Sequence, residues 1–282
     1  MFARPLKKPD SELWLDVAAA LVVCLAYVVM TERLAEDLRT LSRVVLFAAI
    51  LFAPRLTLSW QPWAAMATIL VVGVFMLPFD VPNHHFVLAY VTLALAIALS
   101  APETARASTL RWNARWLLVA IMGFATLHKL ISLAFMDGSY LAYVLATGGF
   151  GAPVLALCHA CGAAAVQNAS LVGEFRAALP ASDAAVMLAA PLPNLAVAGR
   201  AFAWAIVAGE ALLFLAFLVA PSRRVSHIFL LVFAATLGVI RQEFLFISVL
   251  CLLGLLSCSP RMVWLRRAYA AAALVFAAGA IS

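Results

Sequence analysis

Long apolar stretches broken by short polar turns dominate this chain. They predict helices rather than strands, because each exceeds the roughly 4 to 8 residues of a buried strand. About nine are legible, at 13–30, 43–59, 62–78, 84–100, 116–135, 201–220, 225–240, 243–258 and 263–281. A membrane crossing needs about 17 to 25 mainly apolar residues. The expected fold is therefore all-α, a polytopic integral membrane bundle of about eight or nine transmembrane helices forming a single domain over residues 1–282. For the stretches at 43–59 and 62–78 a re-entrant pair is the alternative, since Pro54 and Pro62 interrupt the pattern.

One connection is long, running from Met136 to Gly199. Connections above about 12 to 15 residues are usually functional or disordered, and this one is neither charged nor of low complexity. It is expected to lie on the outer face as a partly membrane-embedded lid, residues 136–199. Within it Ser139 to Gly149 is aromatic and Gly-rich, Pro153 to Val166 suits a short embedded helix, and Ala177 to Leu195 carries Pro180, Pro191 and Pro193.

Composition agrees with the pattern. Hydrophobic residues make up 66% and charged residues 11% of the chain, with mean hydropathy +1.06, whereas a soluble domain would be near half apolar and a quarter charged. The net charge of +6 could suit nucleic acid, but its distribution excludes that partner. With the N-terminus inside, Arg4, Lys7, Lys8, Arg55, Arg106, Arg111, Arg115, Arg223, Arg224, Arg261, Arg266 and Arg267 all fall on the cytoplasmic side, as the positive-inside rule requires. An odd helix count then puts the C-terminus outside. The first stretch reads as a retained helix and not a cleaved signal, because Glu12 and Asp16 enter it and no small-x-small site follows.

Against this background a few polar residues stand out. Lys129 lies near the end of the apolar run from Trp116. A charged amine in hydrocarbon costs at least ~2.5 to 3.5 kcal/mol on insertion scales, which makes it a functional candidate; snorkelling to the interface is the structural alternative. Glu210 lies about halfway along its apolar run, and buried charges are paired or neutralised. Lys129 and Glu210 can pair, or the amine can be kept neutral and serve as a base. Asn83, His84 and His85 open the fourth helix from its outer end, His128 and Lys129 close the fifth, and Arg241, Gln242 and Glu243 form an outer turn. The histidines suit either a polar cap or a site. None has metal-ligand spacing, and Cys24, Cys251 and Cys258 are far apart, so no metal is predicted. Cys158-His159-Ala160-Cys161 is a C-x-x-C, read as a structural disulfide, as two small buried cysteines or as a thiol redox centre.

Three stretches together resemble the transmembrane part of the vitamin K-dependent γ-glutamyl carboxylase family, the horizontally transferred transmembrane domain shared with many bacterial membrane proteins. Asn83-His84-His85-Phe86-Val87-Leu88 resembles the family's Asn-His-x-x-Leu helix opening. Phe124 to Leu130, continuing through Phe135-Met136-Asp137-Gly138-Ser139-Tyr140, is similar to its small-x-x-Lys-Leu, aromatic, acidic-Gly and tyrosine series. Glu210, the Arg223-Arg224 turn and Phe244 to Pro260 resemble its closing helices, so the similarity runs in order over roughly residues 60 to 267.

The resemblance implies that Lys129 is the base that deprotonates a vitamin K-like quinol cofactor, with His85 or His84 beside it and His128 adjacent. Asn83, Glu210, Asp137, Tyr140 and Arg241 are then the candidate substrate-binding residues. It also implies a bacterial cytoplasmic (inner) membrane. Departures are visible: His128 stands where the carboxylase has a second lysine, Ile131 where it has an acid, and Ala234 where a histidine is expected. These 282 residues hold no counterpart of the large extramembrane domain that grips the carboxylase's protein substrate. The expectation is an enzyme acting on a lipid-soluble quinol or related apolar molecule at the outer leaflet. Two competing readings are a non-catalytic membrane partner, serving export or maturation of a protein or peptide on the outer face, and a quinone-linked thiol oxidoreductase using Cys158 and Cys161.

Overall fold

Away from water a backbone must satisfy its own N–H and C=O groups, and for a chain this apolar the continuous helix is the local solution. A computed structural model describes residues 11–30, 58–76, 83–150, 159–177, 188, 194–241 and 243–281. Among these residues every regular element is a helix, as the apolar pattern predicts. In order they are α1 (Ser11–Met30), α2 (Gln61–Met76), α3 (Asn83–Ser100), α4 (Glu103–Ile131), α5 (Leu133–Met136), α6 (Ser139–Ala146), α7 (His159–Ala177), α8 (Leu195–Val219), α9 (Arg224–Arg241), α10 (Phe244–Ser257) and α11 (Val263–Ile281). Among the described residues α4, α8, α9 and α11 are long and apolar enough to cross a membrane, which marks the chain as a membrane protein. The expected crossing at 43–59 lies, apart from its last two residues, outside the described residues, as do Pro54, Pro153 and the three prolines of Ala177–Leu195.

Two helices start earlier than the apolar runs suggest. α4 begins at Glu103 and not near 116 because Pro102 accepts from the N–H groups of Ala105 and Arg106 at 2.8 and 3.2 Å, and the Glu103 carboxylate favours the first turn. Its polar beginning is amphipathic: Leu110, Ala114 and Leu118 are buried at four-residue spacing while Thr104, Ser108 and Trp112 are exposed. At its other end the extended Ser132 (φ −83°, ψ 107°) stops α4, and α5 starts anew. α8 begins at Leu195 and not 201 because Arg200 stays exposed on the helix surface, so its charge does not end the helix.

The chain packs as two compact units. The first takes residues 1–121, 216–234 and 243–282, and α10 is its centre. Every residue from Ile247 to Leu256 is buried, as expected of a helix apolar on all sides. α10 packs on α11, α1 and α3, and α11 on α1. Gly254 makes the α10–α11 contact possible: a Cβ there would enter the ring of Tyr269, which is fully buried. The second unit takes residues 122–215 and 235–242. Its core joins Phe135, Leu141, Val144, Leu145 and Phe150 to Ala203 and Val207 of α8. α6 and α8 approach backbone to backbone through a pair of glycines. Gly138 has φ +84°, and a Cβ on it would strike the Arg200 backbone; one on Gly199 would strike the Gly138 carbonyl.

Candidate functional site

In the second unit the buried face of α8 runs through Gly199, Ala203, Val207 and Glu210, spaced as one helical stripe. Its first three residues are small or apolar and buried, so the chain brings the Glu210 carboxylate into the same seam. There it meets Lys129 of α4. The Lys129 ammonium donates to both carboxylate oxygens, at 2.7 and 2.9 Å, and the two side chains retain 22% and 9% of their exposure. Lys129 Nζ also stands 5.6 Å from the centre of the Phe135 ring, a cation–π distance. Phe135 in turn stacks on Tyr140, centroids 6.0 Å apart.

The geometry of the amine is that of pairing. Arg200 Nε donates to the Asp137 carbonyl at 3.3 Å where α6 and α8 cross, and Glu210 lies a further ~15 Å along α8 at 1.5 Å per residue. The Lys129 amine is turned toward this carboxylate on α8. Gly123 helps α4 and α8 lie close, since a Cβ there would sit 3.1 Å from the Phe214 ring.

Other candidates fall in different surroundings. His128 is exposed on α4 beside Leu127 and Ile131. Asp137 is exposed and accepts from the Ser139 N–H at 2.8 Å, which holds its carboxyl below the usual value of 3.8. Tyr140 is 45% exposed. Arg241 donates to the Gly149 carbonyl at 3.4 Å and stands 6.0 Å from the Phe150 ring. It clasps the 147–150 turn, which Asn168 also holds by donating to the Ala146 carbonyl at 2.8 Å.

His85 belongs to the first unit. It is buried, and both its ring nitrogens are engaged, Nδ1 with the Tyr27 hydroxyl and Nε2 with the Leu70 carbonyl at 2.7 Å. That is the environment of a satisfied core histidine joining α1, α2 and α3. Asn83 and His84 open α3 as expected, and their side chains lie outside the described residues, as do Cys158 and the side chain of Cys161.

Comparison with family models, curated proteins and solved structures finds no match.

Sequence reasoning missed two buried polar clusters in the first unit. Asp16 of α1 accepts from Arg266 of α11 at 2.6 Å, and the same guanidinium donates to the carbonyls of Leu255 and Cys258 at the end of α10. Asp16 inside an apolar stretch was the available signal, since a buried carboxylate demands a partner. The Tyr269 hydroxyl donates to the His227 carbonyl at 2.8 Å and lies 3.3 Å from His227 Nδ1. Its one proton is used on the carbonyl, so Nδ1 is the donor in the second contact.

Proposed function

We propose that the chain is a membrane enzyme in which the Lys129–Glu210 dyad handles a proton for an apolar substrate, a quinol or related molecule dissolved in the bilayer. The observation that carries this reading is the dyad itself, a lysine held on both oxygens of a buried carboxylate in the middle of an apolar helix. Low dielectric narrows the gap between a charged pair and its neutral form, amine plus carboxylic acid. When its ammonium passes a proton to the adjoining Glu210 carboxylate, Lys129 becomes able to act as a base. Phe135 and Tyr140, stacked beside the amine, supply a flat apolar flank suited to an aromatic ring.

The resemblance of residues 60 to 267 to the vitamin K-dependent carboxylase family supports the same role for Lys129 and a quinol as its partner. The arginine distribution supports an N-terminus in the cytoplasm, which sets the Asp137 crossing toward the outer leaflet of a bacterial inner membrane. Glu210→Gln tests the dyad: it removes the proton acceptor while keeping the shape. With dissolved oxygen as the electron acceptor, oxidation of a supplied naphthoquinol by membranes containing this variant is expected to fall at least 10²-fold, the ordinary yield of general base catalysis. Undiminished turnover contradicts the proposal.

A second reading has its own observation. Both Glu210 oxygens are spent on Lys129, as in a structural pair that fixes α4 against α8 in a non-catalytic partner for maturation or export of another protein. The two readings separate at Lys129→Arg, which keeps the pair and removes the base.

A further inference from the structure

We propose that one end of the first unit is a binding surface for anionic phospholipid headgroups. The exposed stripe of α4 changes character along its length, from Thr104 and Ser108 through Trp112 and Trp116 to Ala120. Polar, then aromatic, then apolar is the order met on passing from water through headgroups into hydrocarbon, and tryptophan concentrates at the middle level. Trp112 and Trp116 are 61% and 40% exposed, with centroids 6.2 Å apart.

Hydrogen bonds gather further basic residues at this level. Arg115 donates to the carbonyls of Phe217 and Leu218, at 3.2 and 2.9 Å, tying α4 to the end of α8 and hence to the turn that carries Arg223 and Arg224. The His227–Tyr269 bond ties the start of α9 to α11. There Arg261, Trp264 and Arg267 recur at three-residue spacing and are exposed. Arg223 and Arg224 are exposed as well.

Charge complementarity selects the occupant. Asp16, the nearby carboxylate in α1, is buried on Arg266, and among the described residues of these segments Glu103 is the exposed acid. Guanidinium groups bind phosphate in a two-pronged geometry. The tryptophans adjoin an apolar helix surface and so hold the arginines at headgroup depth, where phosphodiester groups are the anions in reach. A nucleic acid would need the arginines clear of the hydrocarbon edge.

The test uses the purified full chain in detergent, titrated with phosphatidylglycerol or phosphatidylcholine and read by native mass spectrometry. Preferential retention of phosphatidylglycerol, weakening as salt rises, is expected. Each arginine near an anionic surface contributes about a fivefold factor in affinity. Arg223→Gln with Arg224→Gln, and Arg261→Gln with Arg267→Gln, should each reduce the preference by roughly 25-fold, while the matching lysine variants keep most of it. Equal retention of the two lipids by the unmodified chain overturns the proposal, even if a variant fails to accumulate. So does a preference unchanged in both glutamine pairs, or tighter binding of an RNA oligomer than of phosphatidylglycerol.

Discussion

Replacing Lys129 by methionine leaves Glu210 in the α4–α8 seam with neither of its two hydrogen bonds, at 2.7 and 2.9 Å. Breaking a buried pair by removing one partner destabilises by about 3 to 5 kcal/mol. Lys129 keeps 22% of its side-chain exposure, so water partly screens the loss and the lower figure, about 3 kcal/mol, is expected. In a chain of this size 1 kcal/mol shifts the melting midpoint by about 2 to 4 °C, which gives a fall of about 6 to 12 °C. Glu210→Gln should lose less, since the amide oxygen still accepts from the ammonium. The double variant should melt close to the wild type, because an apolar side chain beside a neutral amide replaces the ion pair without stranding a charge. Melting curves of the four proteins in detergent, followed by intrinsic fluorescence, complete a double-mutant cycle. If the two single losses simply add, the geometry described for Lys129 and Glu210 is wrong.

The glycine crossing of the second unit should be intolerant. Gly138→Ala places a side chain on a residue at φ +84° and against the Arg200 backbone, so at least 1 to 2 kcal/mol of backbone strain adds to a displacement of α6, seen as reduced folded yield in gel filtration. Arg266→Met removes the 2.6 Å bond to buried Asp16 and should lose up to about 3 to 5 kcal/mol, and Asp16→Asn in the same chain should recover part of it in thermal melts. His85→Leu removes the ring's hydrogen bonds to the Tyr27 hydroxyl and the Leu70 carbonyl, a loss of about 1 to 3 kcal/mol measurable by the same melts. For Asp137 the folded carboxyl lies below 3.8, so its contribution is complete at neutral pH and is lost as pH falls through the folded value. Wild type and Asp137→Asn should therefore show parallel stability from pH 8 to about pH 5 and converge only below about pH 4.

Much of the fold is legible in the sequence because membrane helices are long and local. The apolar runs ending near Met30, Ser100, Arg241 and Ile281 coincide with α1, α3, α9 and α11 to within a few residues. Hydropathy failed for Glu103 to Arg115 because it averages over both faces of the helix, whereas α4 is held there by one buried stripe through Leu110, Ala114 and Leu118. The Lys129–Glu210 pair was accessible to a rule, that buried charges find partners, although 81 positions separate the residues. The same rule applied to Asp16 would have demanded a cation. Nothing local names Arg266, 250 positions away in the last helix, because tertiary pairing between helices leaves no periodic trace. His85 illustrates the converse. A histidine at a helix opening looks free in sequence, and only packing of α1 and α2 reveals that Tyr27 and the Leu70 carbonyl occupy both its nitrogens.

Lys129→Arg tests the central claim most directly, with membrane accumulation and naphthoquinol oxidation measured on the same preparation. Arginine keeps the positive charge beside Glu210, but its pKa above about 12 leaves no base to accept a proton. Wild-type accumulation with turnover reduced at least 10²-fold is the expected result. An arginine variant that accumulates normally and oxidises the quinol at the wild-type rate would contradict it.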